Sequence, residues 1–316
     1  MASTPIDRTV TAASLAGNPR RRRKEALVRS ILMGAAIFSL AISLAIVLAL
    51  TGEALVFLSK VEPSALWSSV WSPRSGDFGI PVLLVGTLWV AIIAIAIAGP
   101  LGLGAAMYLS EYASPRVRRR LKPIIETLAS IPSVVLGYFA LQVINPVIVQ
   151  NLMGATNTFT IMAAGIAVGI LTIPLVATVA EDAMHAVPAA LREAAYGIGA
   201  KRRTVTIRVV FPAAISGVVA GLILGFSRAV GETMIVAIAA GATGQAPLRL
   251  DPLLPGQTMT GAISSLAIGS DSVKSSDPNA LNAFDALYLV GLLLFIFTFT
   301  LNLVSERFVR RVRRNY

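Results

Sequence analysis

The sequence predicts an all-α, polytopic membrane protein with six transmembrane helices. Hydrophobic residues make up 55% of the 316 and charged residues only 14%, against about 25% charged in a soluble domain. Several apolar runs approach or exceed the roughly 20 residues a helix needs to cross a bilayer. These runs do not alternate apolar with polar positions, so a transmembrane β-barrel is excluded. The chain has no cysteine, which removes disulfides, thiolate metal sites and cysteine nucleophiles from consideration.

Residues 1–30 are polar, carry "RRRRK" at 20–24, and read as a partly disordered basic tail. The basic block sits too late, and the apolar run after it is too long, for a signal peptide. The first span is expected at 31–50. Leu66, Trp67, Val70 and Trp71 follow in "SALWSSVWSPRSGD" and suggest one face of an interfacial helix, since tryptophan favours the headgroup zone. The second span, 80–107, contains "GPLGLG" from Gly99. Proline and glycine there predict a kink or break, tolerated when buried in protein. The basic stretch 110–123 reads as a loop. The third span is expected at 124–148, with Ser133 beside Pro132, and the fourth at 159–180, with Pro174 inside it. The fifth is expected at 213–240 and the sixth at 284–304, with a long polar segment, 241–282, between them. The transmembrane domain thus covers 31–308, and 309–316 form a second basic tail.

Charge sets the expected orientation. Residues 1–30, 110–123, 181–208 and 304–316 hold seven, five, five and five Lys and Arg, 22 of the 27. The intervening stretches on the other side hold four, and Arg228 falls within the fifth span. Lys and Arg are retained on the cytoplasmic side during insertion. Both termini and the loop 181–212 are therefore predicted to be cytoplasmic. No basic segment forms a separate folded domain, so the excess does not point to nucleic acid.

Within that loop stands "REAAYGIGAKRRTVTIRVVFPAA", Arg192 to Ala214. Leu191, Ala194, Ala195 and Ile198 fall at i, i+3, i+4 and i+7, on one helical face. Gly197 and Gly199 suit a C-terminal turn. A short helix with a shallow, small-residue face fits either a groove on another protein or the surface of its own bundle.

The stretch resembles the EAA loop of ABC-importer permeases: Glu193, Ala194, Ala195, Gly199, Val209 and Pro212 match the family pattern, with Phe211 where Leu is usual. "RAVGETM" at 228–234, "PLGLGAAMYLSEYA" at 100–113 and "LKPIIETLASIPSVVLGYFAL" at 121–141 resemble phosphate-specific permeases of the PstC type. The resemblance implies a type I importer (MetI-like) core in the plasma membrane of a prokaryote. It also implies a PstA-like second permease, a PstB-like ATPase dimer, a PstS-like phosphate-binding protein and inorganic phosphate as solute. Within it, Leu191, Glu193, Ala194, Ala195, Gly199 and Pro212 belong to the helix that couples to the ATPase. Arg228, Glu232, Glu126 and Ser133 are the candidates for the translocation path.

The chain has no G-x-x-x-x-G-K-[ST] loop, so ATP and magnesium are expected on the partner ATPase and no cofactor on this chain. His185, the single histidine, reads as a solvated loop residue without metal or triad partners. Arg228 and Glu232, four residues apart, are expected on one face of span five, where a charge at the bilayer centre costs about 2.5–3.5 kcal/mol on insertion scales. Arg228 offers a planar fork for phosphate oxygens. Glu232 would repel a phosphate anion, so it would accept a hydrogen bond from protonated phosphate, hold Arg228, or close the empty path. ABC permeases for another oxyanion or solute, and secondary transporters or channels, remain as alternatives. A membrane enzyme has no nucleophile–base or metal cluster to support it.

Overall fold

The computed structural model describes residues 19–241, 245–269 and 282–313. The chain forms two compact units, Met1–Leu50 and Thr51–Tyr316. In the first, the described chain is the N-terminal part of helix α1 (Pro19–Lys60). The basic tail expected over 1–30 lies outside the described residues up to 18, and the helix already begins at Pro19. Its apolar side chains from Leu27 to Ile46 are exposed.

The second unit holds the remaining elements, beginning with the end of α1. Among the described residues six helices are long and apolar enough to cross a membrane: Lys24–Lys60, Ile80–Tyr112, Ser133–Met153, Ile161–His185, Arg202–Val230 and Ala283–Arg307. After α1 comes a single turn, α2 (Pro63–Leu66). Strands β1 (Val70–Ser72) and β2 (Asp77–Phe78) follow. The expected interfacial helix through Trp71 is not formed. Trp71 pairs with Phe78 on one side and with Ala246 on the other, in an antiparallel sheet of order β2-β1-β3 completed by β3 (Ala246–Pro247). Its indole is buried edge-on against Phe78. β-branched and aromatic residues favour strands, and the Pro73-Arg74-Ser75 turn ending on Gly76 at φ 84° reverses the chain.

Helix α3 (Ile80–Met107) runs unbroken past Gly99 and Pro100. Gly102 lies tight against Val176 of the fourth span, which supports this segment. A proline inside a membrane helix is tolerated where neighbouring helices re-satisfy the backbone. The irregularity comes later, as a wide π turn over Tyr108–Tyr112.

The stretch expected to be a basic loop is instead a helix, α4 (Pro115–Leu128), capped by Ser114, whose hydroxyl accepts from Val117 N. Serine at the N-cap with proline at the first helical position is a favoured helix start. The third span therefore begins later than 124. Pro132 disfavours helix in the residue before it, and α5 (Ser133–Phe139) starts beyond it. That helix widens into a π stretch at Ala140–Gln150, which contains Pro146, and closes with α6 (Asn151–Met153).

Helix α7 (Ile161–His185) is the most buried span and the centre of the core. Gly165 and Gly169 lie against Ile93, Ala94 and Ile97 of α3. Small residues at such crossings let the helix axes approach, where apolar lipid leaves packing as the main driving force. Next come α8 (Ala189–Gly197), a single turn α9 (Arg202–Val205), a π turn at Thr206–Val210, and α10 (Phe211–Val230). Span five thus starts near 202 and ends at Val230, ten residues short of its expected end. Two shorter helices, α11 (Met234–Ala239) and α12 (Met259–Ala267), precede the last span, α13 (Ala286–Arg313).

Candidate functional site

Three features bear on function: an exposed helix on an ionic mount, a small cavity lined by two charges, and a break in the fifth span.

Helix α8 stands out from the bundle. Leu191 is 45% exposed and Ile198 87%. Glu193, Ala194 and Gly199 are also exposed, while Ala195 is half-buried and packs toward the core beneath. The helix ends as its glycines predict. Gly199 takes φ 81°, its amide donates to Tyr196 O at 2.9 Å, and Ala200 N donates to Ala195 O at 3.1 Å. A left-handed residue of this kind closes a helix at low cost only as glycine. Pro212 is half-buried in the first turn of α10, just after the π turn, and its missing N–H loosens the ladder there.

Arg192, on the opposite face, holds α8 down. Its Nη2 lies 2.9 Å from Glu111 Oε1 and donates to Met184 O at 2.8 Å, and its Nη1 donates to Val187 O at 2.6 Å. Glu111 is 7% exposed. Removing one partner of such a buried pair strands the other charge, at a cost of about 3–5 kcal/mol. Arg202 also sits over the Tyr112 ring, 5.2 Å from its centroid, at cation–π range.

Helix α4 is fastened to the end of α7 in the same manner. Arg118 Nε donates to Glu181 Oε1 at 2.6 Å, and Lys122 Nζ stands 2.9 Å from Glu181 Oε2 and 2.9 Å from Asp182 Oδ1. The Lys122–Glu181 contact is one of charge more than of aligned hydrogen bonding, as Oε2 meets no donor in good geometry. Burial pulls the Lys122 pKa down, but the Asp182 and Glu181 carboxylates outweigh it and raise the ammonium above its ordinary 10.5. His185 is exposed at the end of α7, where Arg118 Nη1 approaches its Nδ1 at 3.3 Å. Sequence reasoning missed this mount. Its one available signal was acidic residues at the ends of apolar runs, Glu111 and Glu181, facing a basic segment.

Glu126 lies on α4 and not within the third span, because the helix break at 129–132 separates the two. Its position is nevertheless informative. Glu126 and Arg228 line one cavity of about 190 Å³, walled by Leu171, Pro174, Leu175, Thr178 and Ala129. Ser133, half-buried, opens α5 and is not part of that lining.

Arg228 and Glu232 do not share a helical face. Helix α10 ends at Val230, and Glu232 sits in the non-helical link before α11. No ion pair joins the two among the described residues. The Glu232 carbonyl, outside the helical ladder, accepts from Thr260 Oγ1 at 2.7 Å.

Six helices long and apolar enough to cross a membrane, among the described residues, and a small cavity between α4, α7 and α10 that Glu126 and Arg228 line describe a multi-pass membrane protein. The chain belongs to the family described as binding-protein-dependent transport system inner membrane component, which matches residues 98–315. It is 31% identical over 269 residues to the phosphate transport system permease protein PstC of Pasteurella multocida, covering 79% of this chain and 81% of that one. It is 30% identical over 293 residues to the probable ABC transporter permease protein YqgH of Bacillus subtilis, covering 91% and 94%. In fold it matches a chain from a bacterial alginate ABC transporter solved with its pentasaccharide-bound periplasmic protein, with a TM-score of 0.63 at 14% identity over 93% of this chain and 97% of that one. The chain is therefore a permease subunit of an ABC importer with the six-span fold its sequence predicted.

Proposed function

We propose that this permease carries inorganic phosphate inward, paired with a PstA-like permease, driven by a PstB-like ATPase dimer that binds ATP and magnesium, and supplied by a PstS-like binding protein. The observation that carries the substrate reading is the cavity shared by Arg228 and Glu126. A water needs roughly 10–15 Å³ of such space, so about 190 Å³ suits a small hydrated oxyanion better than a larger organic solute. A guanidinium forks onto two phosphate oxygens, and a carboxylate opposite it accepts the proton of a monohydrogen or dihydrogen phosphate. The relatives named for phosphate transport support the same reading.

Helix α8 is the coupling element in this proposal. Its exposed Leu191, Ala194 and Ile198 form an apolar face suited to a groove on the ATPase, while Arg192 transmits the docked helix's movement to the ends of α3 and α7. The basic end of the bundle, with both termini, faces the cytoplasm.

The test is uptake of labelled phosphate by the reconstituted four-part assembly. ATP-dependent uptake that excess sulfate fails to suppress supports the proposal. Uptake without ATP, or suppression by sulfate in parallel with unlabelled phosphate, overturns it.

A further inference from the structure

The segment between the fifth and sixth spans does more than connect them. Its described part turns back into the bundle as α12, whose N-terminal end is buried: Gln257 is 1% exposed, Thr258 2% and Thr260 5%. The seat is tight. A Cβ on Gly86 of α3 would run into the carbonyl of Gln257, and one on Gly256 would run into Ile161 of α7. Thr87 of α3 donates to Leu83 O at 2.8 Å and accepts from Met259 N at 3.0 Å. Thr258 Oγ1 caps α12 by accepting from Gly261 N at 3.1 Å and lies 3.3 Å from Thr260 Oγ1. Thr260 Oγ1 in turn donates to the carbonyl of Glu232 at 2.7 Å. The start of α12 is thus tied to α3 through Thr87 and Met259 N, and to the break in span five through Thr260.

We infer that Thr260 is a positioning residue for transport: its hydroxyl holds the Glu232 carbonyl and so fixes where the break places the Glu232 carboxylate along the path. This rests on the reading of Glu232 as a translocation-path residue. The break leaves the half-buried Glu232 carbonyl without a place in a helical ladder, and Thr260 supplies the donor that the ladder does not. An isosteric substitution that removes the hydroxyl frees the link 231–233 to settle elsewhere, or to seek its partner by reforming helix. Either outcome rotates residue 232. The half-buried Glu232 has no ion-pair partner among the described residues to restrain it otherwise.

The experiment measures labelled phosphate uptake by the fully assembled transporter carrying Thr260→Val, Thr260→Ser, Glu232→Gln, or Thr260→Val with Glu232→Gln. The expected result is a fall of about tenfold for Thr260→Val, the effect of losing about 1.4 kcal/mol, with Thr260→Ser within about twofold of the parent because the donor is kept. The double variant should be no worse than Glu232→Gln, since residues acting through one another are not additive. A drop in Glu232→Gln with undiminished uptake in Thr260→Val overturns the positioning role and leaves the path reading intact. Full uptake in Glu232→Gln overturns the path reading for that residue, and the inference with it. Multiplying effects in the double variant, or a Thr260→Ser as impaired as Thr260→Val, also overturn the inference. Should Thr260→Val fail to assemble, Thr260→Cys takes its place. Its weak donor should give uptake between that of the serine and parent proteins and that of Glu232→Gln, and parental uptake would count against the inference.

Discussion

At the scale of single residues, Arg228 is the group whose chemistry is most constrained. It stands on a membrane-spanning helix, exposed toward a cavity it shares with Glu126. Sequence reasoning marked both residues but paired Arg228 with Glu232, because four residues on an unbroken helix share a face. The helix ends at Val230, before it reaches Glu232, and the carboxylate that lines the same cavity is Glu126, from a segment roughly a hundred residues earlier in the chain. Such a juxtaposition depends on how α4 folds back onto α7, and no local spacing reveals it. Hydrogen bonds to charged groups are worth about 1.5–3 kcal/mol. Arg228→Gln should therefore lower phosphate uptake about 10- to 100-fold with assembly unchanged, and Arg228→Lys should also lower it, since the ammonium keeps the charge and loses the fork. Adding Glu126→Gln to Arg228→Gln separates two roles. If Arg228 only neutralises Glu126, the double variant recovers uptake; if it grips phosphate, the double variant assembles and stays inactive. Recovery would remove Arg228 from the substrate path.

Elements show the same division between local and tertiary causes. Helix α8 was legible because its apolar positions and its closing glycine lie within one short stretch, from Pro188 to Gly199. Helix α4 was not legible as a helix. Its run of arginines resembles a solvated loop until Glu181 and Asp182 are brought alongside to neutralise it. The break at 231–233 was missed for a similar reason: the donor that stabilises it, Thr260, arrives from the far end of a segment that reads as a polar linker. For α8 the expected outcome of substitution now has two distinct mechanisms. Ala194→Trp places a large ring on the exposed face and should block docking by crowding. Around Gly199 there is open space, so Gly199→Val acts through its backbone, where a left-handed residue with a side chain costs roughly 1–2 kcal/mol. It should change the angle at which α8 leaves for α9 without crowding anything. Pull-down of the ATPase in detergent should show loss with Ala194→Trp, partial loss with Gly199→Val, and weakening with Glu193→Lys if that side chain meets basic residues. Parental recruitment by all three would exclude α8 as the coupling surface.

For the whole molecule, the asymmetry of charge and the asymmetry of structure coincide. The ion pairs that mount α4 and α8 lie at the ends of α3 and α7 on the side that carries the basic segments. The small sheet through Trp71 and the re-entrant α12 belong to the chain segments on the other side of spans two and five. In the proposed importer one end faces the energy source and the other receives solute, and the Lys and Arg of 110–123 and 181–208 are expected to keep the α4 and α8 end on the cytoplasmic side. That arrangement makes a direct prediction about orientation. A reporter that is active only outside the cytoplasm should work when inserted after Leu250, which is 71% exposed on the sheet side, and should be silent when inserted after Arg202 at the foot of span five. A cytoplasmic reporter at the same two positions should give the opposite pattern. If instead the Arg202 fusion is the one active outside, α8 faces the wrong compartment to meet an ATPase, and the mount formed by Arg192 and Glu111 must serve the reception of solute rather than the coupling of hydrolysis.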